Sequence, residues 1–119
     1  MLAVIFEVEP MPGRQPDYLA LAATLKEHLE QQPGFISVER FQSLTTPGKL
    51  LSLSFWEDEA SIAAWRQLDE HRQAQTAGRQ QLFAGYRLRI AQVVRDYGLH
   101  EREQAPADSR CAHEQGTSR

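Results

Sequence analysis

The run Leu2-Ala3-Val4-Ile5-Phe6-Glu7-Val8 is dense in β-branched and aromatic residues and is cut off by Pro10-Met11-Pro12-Gly13, which predicts a first strand. Alternation puts Leu2, Val4, Phe6 and Val8 on one face and Ala3, Ile5 and Glu7 on the other. Both faces are apolar over most of the length, so both need cover. From Pro16 to Gln32 the period changes: Tyr18, Leu21, Leu25 and Leu29, with Ala22 beside them, recur at helical spacing, and Pro16 suits a first turn. After Pro33-Gly34, the segments Phe35–Phe41 and Leu50–Trp56 flank Thr45-Thr46-Pro47-Gly48-Lys49, the pattern of a hairpin.

Glu57-Asp58-Glu59 sets acidic residues where a helix start favours them, with Asp58 as the cap of a helix from Ala60 to Leu68. Ile62, Trp65 and Leu68 form its apolar stripe. Asp69 to Gln81 stays helical in pattern but is more polar, which predicts a bend near Leu68 to Glu70 and a stop at Gly78. The later half of Leu82 to Arg95 reads as a fourth strand, and beyond Gly98 no apolar period remains, as in a disordered tail. The order βαββαβ predicts a ferredoxin-like α+β domain over residues 1–98, a four-stranded antiparallel sheet with both helices on one face, followed by a polar tail over 99–119. The other sheet face is then bare, and its simplest cover is the same face of a second copy, making a homodimer.

Composition narrows the function classes. A length of 119 residues fits one core. The net charge of −3 gives no electrostatic footprint for nucleic acid, and no apolar run reaches the 18 or so residues of a membrane helix. The single Cys111, and an amino end without the pattern of a signal peptide, point to the cytoplasm. The scattered glycines form no phosphate-binding or dinucleotide motif.

The Pro-Met-Pro-Gly end of strand one, Pro-Gly-Phe at 33–35, Leu-Ser-Phe-Trp at 53–56 and the spacing from Phe55-Trp56 through Asp58-Glu59-Ala60 to Trp65 resemble the antibiotic biosynthesis monooxygenase family over Met1 to Gly98. The resemblance implies a dimeric α+β barrel with a site between sheet and helices. It implies one of several activities: cofactor-independent oxygenation of aromatics, quinol oxidation or haem degradation. The haem-degrading branch carries an Asn on strand one, a Trp on the second helix and a His ten residues later. Here those positions are Glu7, Trp65 and Gln75, and only the Trp agrees.

Four residues carry the candidate chemistry. Glu7 is a carboxylate in an apolar strand, either a base that makes an electron-rich anion for dioxygen to attack or a structural partner of Arg40, Arg87 or Arg89. Trp65 belongs to a core stripe and can also wall a pocket. His71 is an acid or base near neutral pH, or a solvated residue between Glu70 and Arg72. Tyr86 orients a phenolic or quinoid ligand, or packs at an interface. The leading expectation is an oxygenase that needs no cofactor and acts on a small aromatic or quinol held by Glu7, Trp65, His71 and Tyr86. The alternatives are a non-catalytic ligand-binding or stress-associated dimer and a haem-binding protein.

Overall fold

The computed structural model describes residues 1–68, 72, 73, 76 and 81–117, the last five of these by backbone only. The elements are β1 (Leu2–Pro10), α1 (Gln15–Glu30), β2 (Phe35–Gln42), β3 (Leu50–Trp56), α2 (Glu59–Arg66), β4 (Phe83–Gln92) and α3 (Ala107–Thr117). The strands form one antiparallel sheet in the order β2-β3-β1-β4, the ferredoxin-like arrangement.

Each boundary has a local cause. Proline in the first turn opens α1. Gly34, at φ +82°, supplies the left-handed turn that carries the chain into β2, and its carbonyl accepts a hydrogen bond from Glu57 N–H at 2.8 Å. The β2–β3 connection is tied by Ser43, whose hydroxyl accepts from the amides of Thr45 and Thr46, and it turns at Gly48, φ +81°. Asp58 caps α2 as its position suggests: Oδ1 accepts from both the amide and the hydroxyl of Ser61, each at 2.8 Å.

Register fixes which side chains share a face. Phe35 pairs with Trp56 and Ser37 with Phe55, so Ile36 bulges out of β2. One set of rows across β2, β3, β1 and β4 is then Val38-Ser54-Val4-Ile90, Arg40-Ser52-Phe6-Leu88 and Gln42-Leu50-Val8-Tyr86. The alternate rows, Ser37-Phe55-Ala3-Ala91, Glu39-Leu53-Ile5-Arg89 and Phe41-Leu51-Glu7-Arg87, belong to the opposite face.

The first face carries the core, which is split. Leu29, Trp56, Ile62 and Trp65 bury one cluster, with Val4, Leu25, Phe35 and Val38 against it. Val8, Tyr18 and Leu50 bury a second, joined by Phe6 and Phe83. The opposite face is apolar at its centre, with Ile5, Leu51, Leu53 and Phe55 only half-buried and Phe41 exposed.

The chain after Gly98 departs from the disorder its polarity suggests. Arg102 donates to the Gly98 carbonyl at 3.2 Å and to the Ser109 hydroxyl at 3.0 Å, and its guanidinium stacks over Tyr97. Gln104 Oε1 accepts from Asp96 N–H, Ala105 is buried, and α3 follows. Short-range polar contacts order this stretch, and hydrophobic period does not register them. The anticipated bend and late stop at Gly78 fall largely outside the described residues.

Candidate active site

Between the two core clusters the helices do not fill the sheet face, and a cavity of about 280 Å³ remains. This lies at the small end of ligand sites. Its floor is the first-face rows of the sheet: Val4 and Phe6 from β1, Val38 and Arg40 from β2, Ser52, Ser54 and Trp56 from β3. Tyr18, Leu21, Ala22, Leu25, Lys26 and Leu29 of α1 form the roof, and Ile62, Trp65 and Arg66 of α2 close one end. Along β4, Tyr86, Leu88 and Ile90 line it while remaining 44–50% exposed.

Aromatic packing shapes both ends. Trp56 is 1% exposed, meets Phe35 edge-on at 5.4 Å between centroids and lies 6.5 Å from Trp65. Its indole N–H donates to the buried Ser54 hydroxyl at 3.0 Å, which satisfies both groups. At the other end Phe83 meets Phe6, Tyr18 and Tyr86 at 5.7–6.0 Å.

Two of the four residues singled out in the sequence, Trp65 and Tyr86, line this cavity. Trp65 packs in the core and walls the pocket at once, whereas Tyr86 sits at its open side, stacked 5.7 Å from Phe6. Glu7 does not join them. Strand alternation turns it to the opposite face, where its carboxylate lies 3.4 Å from Lys49 Nζ and 3.6 Å from Arg89 Nη1. The expectation that Glu7 faces the cleft is thus corrected: Val4 and Phe6 mark the cavity side, and Glu7 is out of phase with both. Its anticipated pairing with Arg89 is present, and Lys49 is an additional partner. His71, and Gln75 at the position of the haem ligand, lie outside the described residues.

The residue that sequence reasoning missed is Arg40. It stands in the first-face row with Ser52 and Phe6, and its Nε is buried without a hydrogen-bond partner among the described residues. A buried donor left unsatisfied costs about 1–3 kcal/mol. Lys26, Arg40 and Arg66 line the cavity, and the described lining includes no Asp, Glu or His. The only available signal was parity: Arg40 is two residues from Val38, and therefore on its face. Among the described residues no three His, Cys, Asp or Glu side chains gather where a metal would sit. No helix there is long and apolar enough to cross a membrane.

An apolar cavity between a ferredoxin-like sheet and its helices marks a small α+β fold with an internal pocket, and comparison makes the class specific. The family profile for "Antibiotic biosynthesis monooxygenase" matches residues 1–77, and the chain belongs to that family. It is 45% identical over 94 residues, 79% of its length, to a protein named jasmonate monooxygenase ABM from Pyricularia oryzae, covering 44% of that relative. It is 34% identical over 64 residues to the uncharacterized protein YqjZ of Bacillus subtilis, covering 54% of each chain. The chain therefore spans about half the length of these curated relatives. A crystal structure of an antibiotic biosynthesis monooxygenase matches the fold with a TM-score of 0.69 at 19% identity, over 79% of this chain and 99% of that one.

Proposed function

We propose that the chain is a monooxygenase that needs no flavin or metal and oxidises a small, largely apolar aromatic or quinol in the cavity between the sheet and α1 and α2. The observation that carries this reading is the open aromatic-walled cavity in a member of a monooxygenase family. In such a reaction an activated CH₂ or phenolic group loses a proton, and the resulting anion gives its electron pair to dioxygen with formation of a C–O bond. The peroxide takes up a proton, and at a CH₂ carbon, or at a ring CH ortho or para to the phenolic oxygen, the hydroperoxide then loses water to leave C=O. Dioxygen is reduced by four electrons, with one oxygen atom in the product and the other in water.

The residues present suit the anionic stage. With Glu7 on the far face, no carboxylate is assigned the role of base. Instead Lys26, Arg40 and Arg66 lower the cost of negative charge on the substrate, and the proton passes to solvent at the side left open along β4. Tyr86 stands at that opening, where its hydroxyl can hold a substrate oxygen. Trp65 gives the ring a flat apolar wall.

Oxygen-electrode assays with a panel of phenols and quinols test this. Uptake is expected in the presence of EDTA and without added flavin, and reduced in Trp65→Leu and Tyr86→Phe. Equal uptake by both variants and the parent chain overturns it.

We also infer a homodimer through the opposite sheet face, whose apolar centre of Leu51, Leu53 and Phe55 is flanked by charges of both signs, a self-complementary pattern. Light scattering is expected to give twice the chain mass, and the chain mass for Leu53→Asp. Residues 1–98 are then the catalytic unit, with the segment from Leu99 outside it. A filled pocket would have favoured a non-catalytic dimer. The paired Glu7 agrees with that alternative, but the open cavity does not.

A further inference from the structure

We propose that Arg40 is the anchor for a carboxylate, so that the cavity selects small organic acids with an apolar ring body over neutral molecules of the same shape. This rests on the cavity being the substrate site and names the class of substrate it takes.

The charge of the lining points first in this direction. The chain as a whole is acidic, at −3, yet the charged residues described along the cavity are all basic. Other basic side chains in the fold have acids beside them: Arg14 lies 3.2 Å from Asp17, and Lys49 and Arg89 share Glu7. Lys26 is itself 3.8 Å from Glu30 and half-exposed, which makes it a rim residue. Arg66 is exposed at the last turn of α2.

Arg40 differs from both. It rises from the sheet floor between Val38 and Gln42 on β2, opposite Ser52, and its Nε is buried with no partner among the described residues. An exposed guanidinium is satisfied by water, but a buried Nε–H is not. The rigid planar fork of arginine matches the two oxygens of a carboxylate, and a carboxylate toward which the side chain turns in the cavity would supply the acceptor that the buried Nε–H lacks in this conformation. The apolar walls then take the ring body, with Trp65 and Phe6 among the aromatic side chains that line the cavity.

Calorimetric titration of the purified chain with 2-naphthoate, its methyl ester and 2-naphthol at pH 7.5 tests this. The acid is expected to bind about tenfold or more tightly than the ester, the margin of a hydrogen bond to a charged group. Arg40→Met should abolish that preference while leaving ester binding, and hence the pocket, in place; Arg40→Lys should keep part of it.

Equal or weaker binding of the acid, an acid preference that survives in Arg40→Met, or no binding of any probe overturns the proposal. So does naphthol binding more tightly than naphthoate, because the guanidinium would then meet a phenolic oxygen. Oxygen uptake is a separate readout: uptake of neutral quinols without an acid preference overturns the anchor alone, whereas an acid preference without any uptake overturns the oxygenase reading alone.

Discussion

Replacing Trp56 with Phe removes one hydrogen-bond donor and part of one ring from the best-buried point of the cavity floor. Trp56 is 1% exposed, and its indole N–H donates to Ser54, itself 8% exposed, at 3.0 Å. The smaller ring gives up about 50 Å² of buried area, worth about 1 kcal/mol at about 25 cal/mol per Å². The stranded Ser54 hydroxyl adds about 1–3 kcal/mol, so the expected loss is about 2–4 kcal/mol. Ser54→Ala alone strands the indole N–H instead and should cost about 1–3 kcal/mol. The double variant strands neither group. It should therefore be less destabilised than the sum of the single changes by about 2–6 kcal/mol, since both stranding penalties drop out. Urea denaturation followed by far-UV circular dichroism measures this without relying on the altered tryptophan, provided the slope with denaturant is unchanged. Additivity within about 0.5 kcal/mol would refute the claim that this buried pair holds the floor.

Glu7→Gln should leave oxygen uptake unchanged and shift stability by less than about 1 kcal/mol, since its two partly exposed ion pairs lie on the face away from the cavity; a large loss of turnover would return Glu7 to the site. Gly34→Ala should destabilise by about 2 kcal/mol or more in thermal melts, because φ is +82° and the new Cβ would overlap the Ser61 hydroxyl that helps fix Asp58. Asp58 supplies a pH dependence. The Ser61 amide, and after it the Ser61 hydroxyl, hold its carboxyl below its ordinary value of 3.8. Its contribution is therefore present above that value and lost as pH falls through the lowered folded value. Acid unfolding followed by circular dichroism should be shallower in Asp58→Asn; an identical acid limb would remove Asp58 from the account.

Much of the fold follows from local pattern. The helical spacing of Tyr18, Ala22 and Leu29 foretells the buried stripe of α1, and Asp58 caps α2 as its acidic surroundings suggest. The site is less legible, for a reason visible in β1. Because Leu2, Val4, Phe6 and Val8 on one face and Ala3 and Ile5 on the other are all apolar, alternation places Glu7 opposite Phe6 without saying which face meets the helices. Only the packed α1 and α2 decide it. Arg40 is hidden by the bulge at Ile36, which shifts the phase of β2 after Phe35, so that a charged residue on the inner face looks like an ordinary surface position. The stretch after Gly98 escapes for another reason: its order comes from Arg102, Gln104 and Tyr97 meeting nearby backbone and side chains, not from a buried stripe.

The most direct test of the oxygenase reading is turnover of a reactive phenol or quinol under ¹⁸O₂, with EDTA present and no flavin, followed by mass spectrometry of the product. The chain should place one labelled oxygen atom in each product molecule, and Leu25→Trp, which fills the cavity from α1, should abolish that incorporation while the variant remains folded. Product without the label, or labelling that persists in Leu25→Trp, would contradict the account.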